Sequence, residues 1–255
     1  MLNFFTYDFG YSWSLRYAML APVILAGVLG AIAVWRSWPR WVFVPLALVG
    51  IWAAVAVVVL NAMLNRPMSL PTERFLTSGS GQVLDVGAGS GRAAIGVALA
   101  RRQATVMGVD IYSGYWGIDE NTPERFMRNA RIAGVGDRAA ARVGDMRQLP
   151  FDDGHFDAAV SSYAIDHLRR AERTKAIAEV ARVLKPGGEF LLMIVQVDWR
   201  TWLVSPLLAH HPSQDPEPWR AWLQENGFSL EEEGTRFSTL YFLAKKQEVA
   251  HASDR

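Results

Sequence analysis

The 255-residue chain contains no cysteine. Disulfides, thiolate metal sites and cysteine nucleophiles are therefore excluded. Net charge is nearly absent as well, at +1, so no bulk field draws the protein to nucleic acid and none is expected as a partner. No internal repeat or low-complexity tract is present. Two histidines, His210 and His211, are adjacent, but neighbours in sequence rarely point at one centre. No carboxylate–histidine spacing accompanies them, so no metal site is expected.

Charge is scarce above all at the start. Residues 1–65 carry Asp8, Arg16, Arg36 and Arg40 alone, with no charge from Tyr17 to Trp35 or from Trp41 to Leu60. As helices rising ~1.5 Å per residue, both runs can cross a hydrocarbon core of roughly 30 Å. Arg36-Ser37-Trp38-Pro39-Arg40 between them suits a tight helical turn. Trp35, Trp38 and Trp41 cluster at that end, and Tyr7, Tyr11, Trp13 and Tyr17 at the other, as a membrane interface favours. The pattern predicts an interfacial segment over 1–16 and a two-helix transmembrane hairpin over 17–64, with spans 17–35 and 41–60. The alternatives are a helical pair buried in a soluble core, and a signal peptide cleaved near Ala31-Ile32-Ala33 that leaves the second span as anchor. Pro67 and Pro71 mark a linker over 65–74. A soluble domain follows over 75–246, with a flexible tail over 247–255.

Within that domain, Val83, Leu84 and Val86 read as a buried parallel strand. The strand ends at Gly87, Ala88, Gly89, Ser90 and Gly91, and a helix follows over 92–100. Strand, glycine turn and helix N-terminus make a nucleotide-binding corner. A second strand over 104–109 ends in Asp110, placed to accept hydrogen bonds from ribose hydroxyls. Thr122-Pro123 opens a helix that stops at Gly134. Strands at 138–143, 158–161 and 189–195, a helix at 171–184 broken by Lys185-Pro186-Gly187-Gly188, a helix at 218–227 and strands at 228–233 and 236–244 complete the pattern. Strand and helix alternate, which predicts an α/β fold: a doubly wound, mostly parallel seven-stranded sheet with ligands at the strands' carboxyl ends.

Val83-Leu84-Asp85-Val86-Gly87-Ala88-Gly89-Ser90-Gly91, Gly108-Val109-Asp110, Gly144-Asp145, Leu149-Pro150-Phe151, Phe156-Asp157 and Arg182-Val183-Leu184-Lys185-Pro186-Gly187-Gly188 occur in this order. Together they resemble the class I S-adenosylmethionine-dependent methyltransferases, in the branch that includes the quinone C-methyltransferases. The resemblance covers residues 75–195 and extends toward Lys245. It implies S-adenosylmethionine as cofactor. Asp85 would help hold the methionine amino group, while Gly87, Ala88, Gly89 and Gly91 would pass beneath the cofactor. Asp110, with Ile111 after it, would take the ribose, and Asp145 with the Met146 N–H would read the adenine. That cofactor is cytosolic, which puts the catalytic domain and both termini in the cytoplasm. The arginines flanking the hairpin are too evenly divided to oppose this.

Methyl transfer needs alignment and exclusion of water, plus a base where the acceptor carries a proton. In the resembled family the loop Ser162-Tyr163-Ala164-Ile165-Asp166-His167 faces the methyl group, with Ser162 on the cofactor side. His167 is the base candidate, because imidazole titrates near neutrality; otherwise it packs at a helix start. Asp166 either orients His167 or caps the next helix. Tyr163 is a substrate contact or a core aromatic. Residues 196–212 would build the acceptor pocket, and Trp199, Trp202, Trp219 and Trp222 would line it, rest against the bilayer or simply be partly buried. Tyr112–Gly117 would cover the adenosine or form a lid. The expected protein is a two-pass membrane methyltransferase acting on a small lipophilic acceptor, its oligomeric state open. The competing readings are a membrane-tethered NAD(P)-dependent oxidoreductase and a non-catalytic scaffold or sensor that binds the cofactor.

Overall fold

A computed structural model describes residues 6–113, 118–204 and 215–248. Short α1 (Trp13–Tyr17) leads into α2 (Leu20–Trp35) and then, through a single 3-10 turn, into α3 (Phe43–Leu64). The first apolar run is not one helix from residue 17. Pro22 has no N–H to give the Ala18 carbonyl, so the α-helical ladder breaks there and α2 starts at Leu20. The second helix reaches four residues beyond the expected Leu60. Among the described residues, the Arg40–Leu64 helix is long and apolar enough to cross a membrane; α2, at sixteen residues, is shorter.

These two helices pack through small side chains. Ala33 and Ala53 are fully buried, Ala26 and Ala56 nearly so, and a Cβ on Gly50 would rest 3.6 Å from that of Ala26. Small residues let helix backbones approach closely. The outer faces are apolar and exposed: Ile24, Leu25, Val28 and Val34 on α2, and Val44, Leu48, Ile51, Val55 and Val58 on α3.

The remainder is a seven-stranded sheet in the order β3-β2-β1-β4-β5-β7-β6. Its strands are β1 (Ser80–Val86), β2 (Gln103–Asp110), β3 (Ala139–Val143), β4 (Phe156–Ser162), β5 (Leu184–Val195), β6 (Phe228–Arg236) and β7 (Thr239–Lys246). β1 to β5 pair in parallel, and β7 joins β5 and β6 antiparallel. The two-residue period of a strand divides the core between two faces. Val83, Val106, Val160 and Met193 meet α4 (Arg92–Ala100) and α5 (Pro123–Ile132) on one. Leu84, Val109, Phe190 and Leu192 meet α6 (Arg170–Val183) and α8 (Pro216–Glu225) on the other. α7 (Trp199–Val204) follows β5 at its carboxyl end. The Lys185-Pro186-Gly187-Gly188 turn lies within the span of β5. Phe156 pairs with Leu184 and Ala158 with Glu189, so the extra residues bulge from the ladder.

Candidate functional site

β1 and β2 end side by side, and the chain turns at Gly87. Its N–H and that of Ala88 both donate to the Val109 carbonyl, at 2.9 and 3.0 Å. Gly87 has φ +75°, and a Cβ there would sit 2.2 Å from the Cβ of Ala164 in the loop after β4. That close approach requires glycine and brings two strand ends together. Gly91, at φ +88°, begins α4, and the ring of Phe126 fills the space where its Cβ would stand.

Two carboxylates face this loop. Asp85 is fully buried; its Oδ2 accepts from the Ala94 N–H inside α4 at 2.8 Å, while Oδ1 has no partner. Burial pushes its pKa up to about 7, with the nearby Asp110 adding to the rise. Asp110 Oδ2 accepts from Gly89 N–H at 2.9 Å, and Oδ1 from Tyr112 N–H at 2.7 Å and the Asn121 amide at 3.3 Å. Burial raises its pKa too, against those hydrogen bonds. Ile111 beyond it is exposed. Further buried polar atoms around the loop also lack partners: Ser90 Oγ, Tyr112 OH and Asn121 Oδ1. Unpaired buried polar atoms are costly, and a polar ligand bearing an amine and hydroxyls would satisfy them. The residues thus fit S-adenosylmethionine. Asn121 escaped sequence reading because it only precedes the Thr122 cap of a helix, and its hydrogen bond to Asp110 is tertiary.

The Asp145 carboxylate is gripped by Arg147, through Nη2 at 2.7 Å and Nε at 3.0 Å, and Arg147 reaches Glu172 of α6. Arg147 holds the Asp145 pKa below the usual carboxylate range. The carboxylate stays more than a third exposed. Met146 points back to the corner, its Cε 3.1 Å from where a Gly87 Cβ would lie.

At the end of β4, the Ser162 hydroxyl lies 3.3 Å from the Met68 sulfur. Tyr163, at φ +52°, shares a hydrogen bond with Thr239 Oγ1 and senses the charges of Arg92 and Asp166, while burial raises its pKa. Its ring packs against the core. Asp166 does not cap α6. That helix begins after Arg169, whose N–H is taken by Glu172, and Asp166 Oδ2 instead receives the Val195 N–H at 3.1 Å, fastening the end of β5. His167 closes a 3-10 turn and is partly buried. Trp219 and Trp222 of α8 are buried beneath Arg173 and Arg170 of α6, whereas Trp199 and Trp202 are exposed. His210, His211 and Gly114–Gly117 lie outside the described residues.

The apolar N-terminal region meets this same edge of the sheet. Phe9 is buried in the α4–α5 core, Asp8 N–H donates to Asn129 Oδ1, and Asn129 also holds the Ser90 carbonyl. Gly10 O accepts from Asp119 N–H. On the other side of the hairpin, Arg92, the first residue of α4, donates to the Met63 and Arg66 carbonyls at the end of α3. Both ends of the hairpin are therefore tied to the glycine corner.

Comparison with known proteins bears on this site. A family described as a methyltransferase domain matches residues 83–188. A ubiquinone/menaquinone biosynthesis C-methyltransferase of Citrifermentans bemidjiense is 31% identical over 147 residues, covering 51% of this chain and 56% of that protein. The 27-O-demethylrifamycin SV methyltransferase of Amycolatopsis mediterranei is 33% identical over 111 residues, 44% of this chain and 37% of that protein. The chain thus spans little more than half the length of the first of these relatives and less of the second. A crystal structure of an S-adenosylmethionine-dependent methyltransferase from Methanosarcina mazei superposes with a TM-score of 0.54 at 23% identity, covering 71% of this chain and 99% of that one. Residues 83–188 thus match a methyltransferase domain, and the chain shares its fold with the Methanosarcina mazei structure.

Proposed function

We propose that the protein is a membrane-anchored methyltransferase that moves the methyl group of S-adenosylmethionine to a small lipophilic acceptor. The observation that carries the reading is the position of the apolar hairpin, fastened at both ends to the glycine corner. A site at the carboxyl edge of the sheet then faces the bilayer, where a lipophilic acceptor is concentrated.

The cofactor supplies an activated methyl group on a sulfonium. Asp85 and Asp110 hold its amine and ribose, the Gly87–Gly91 loop leaves room for it, and Asp145 with Met146 N–H receives the adenine. Tyr163 borders the acceptor, and His167 takes a proton where the acceptor has one.

The hairpin supports a two-pass anchor. α3 has the length of a span, and the chain before α2 returns to the same domain surface as the chain after α3. If α3 crosses, α2 must cross back. Its sixteen residues extend about 24 Å at ~1.5 Å each; α1 and the adjoining turn add length, and a bilayer thins locally around a short span. S-adenosylmethionine is a cytosolic metabolite, so the domain faces the cytoplasm.

Isothermal titration of S-adenosylmethionine into the detergent-solubilised protein, beside Asp110→Ala, tests the cofactor roles. Losing charge-assisted bonds worth about 1.5–3 kcal/mol weakens binding roughly 10- to 100-fold. Binding unchanged in the variant would remove Asp110 from the site. Transfer of labelled methyl to quinone-like phenols, phospholipid headgroups or hydrophobic thiols then tests the acceptor class. Tight cofactor binding with no transfer to any acceptor would favour a scaffold.

A further inference from the structure

α7 carries an arrangement that water does not explain. Its N-terminal end is polar and fastened to the sheet. Asp198 accepts from the Arg200 and Thr201 N–H groups, and Thr201 Oγ1 lies 2.7 Å from Ser238 Oγ. Trp199 at its start and Trp202 and Leu203 toward its C-terminal end are apolar and exposed. There the Trp52 indole N–H of α3 donates to the Leu203 carbonyl at 2.9 Å.

Trp52 stands nine residues from Phe43 and twelve from Leu64, about 14 Å and about 18 Å from the ends of α3 at ~1.5 Å per residue. A partner bonded at that level lies at the depth of the middle of the span. In water an exposed bond of this kind adds little. In hydrocarbon a carbonyl at a helix end has no solvent and must find a donor, which the indole supplies. The uncovered side chains of α7 are Trp199, Arg200, Trp202 and Leu203, and those of α3, Val55 and Ile51 among them, are apolar. The charged pair Asp198–Arg200 sits at the end toward the domain, where it can reach the interface.

We propose that α7 is inserted in the bilayer against α3, with its exposed tryptophans and Leu203 in contact with lipid acyl chains. This rests on the reading of α3 as a membrane span. α7 is tied to Ser238, next to Thr239, which holds Tyr163, and β5 before it is tied to Asp166. The acceptor side of the site is then walled by a lipid-embedded helix, and a lipophilic acceptor enters sideways from the bilayer without crossing water.

The cysteine-free sequence allows single spin labels at Val55→Cys, Leu203→Cys and Asp152→Cys in the full chain, reconstituted in phosphatidylcholine nanodiscs. Collision rates with oxygen and with a water-soluble nickel chelate report depth. The label at 203 is expected to match that at 55, with an oxygen-to-nickel ratio several-fold above that at the exposed domain position 152. A label at 203 that behaves like 152 while 55 remains in lipid overturns the proposal and leaves the anchor standing. Labels at 55 and 203 that are both aqueous overturn the anchor itself. Trp52→Phe, which keeps the ring and removes the N–H, is expected to shift the 203 label toward water; no shift would overturn the role given to the indole.

Discussion

Asp85 is where burial and charge compete most strongly. Its folded pKa of about 7 lies above the ordinary 3.8, so between those values the folded state holds a proton that the unfolded state has lost. Stability therefore falls as pH rises from about 4 to about 7, by up to about 4 kcal/mol if the full shift applies. Asp85→Asn keeps an acceptor for Ala94 N–H and removes that slope, which denaturant unfolding across this range measures. A cofactor amine beside Asp85 favours the ionised form, so S-adenosylmethionine affinity rises through pH 7 and binding below it expels a proton. Titrations in buffers of different ionisation enthalpy detect that proton, and in Asp85→Asn it disappears. The acid was readable from its place at the end of β1. Its open Oδ1, and the unpartnered Asn121 and Tyr112 atoms nearby, were not, because residues 85 and 110 come together only once β1 and β2 pair.

Among the elements, the short strap before α1 changes meaning most. Tyr7 to Tyr11 read from sequence as interfacial aromatics, yet Phe9 is 1% exposed and stacks on Tyr7 at 5.4 Å within the α4–α5 core. No periodicity marks a five-residue strap, so its docking was invisible before the fold. Phe9→Ala empties a core position and is expected to cost about 3–5 kcal/mol, read as a lowered denaturation midpoint in detergent. It also loosens Asn129 from Ser90, so cofactor affinity falls with it. A variant as stable as the parent would show the strap to be loosely held. The linker behaves likewise: two prolines signalled a break, but Met68 and Leu70 are buried and the Met68 carbonyl lies where a Gly96 Cβ would point, 2.1 Å away. The joint between hairpin and domain is a packed seam.

For the whole molecule, the prediction concerns topology. With a two-pass hairpin, single cysteines at Ser14 and Asp152 lie on one side of the membrane and a cysteine at Ser37 on the other. A membrane-impermeant maleimide applied to sealed vesicles of each orientation distinguishes them. Ser14 and Asp152 labelled from opposite sides would mean that α3 crosses alone; all three labelled together would mean that neither helix crosses. The proposed anchor puts the exposed apolar faces of α2 and α3 in lipid, so the protein is also expected to remain with membranes after alkaline carbonate extraction.

Local chemistry determined much of this protein. Strand and helix periodicity specified the order of elements, glycines at the end of β1 specified the corner, and two uncharged runs specified a helical pair, because each depends on residues close in the chain. Tertiary structure decided the rest. It turned Asp166 to β5 and set Leu203 of α7 against Trp52, 151 residues away. A side chain's role depends on which distant backbone comes within about 3 Å of it, and no local pattern carries that distance.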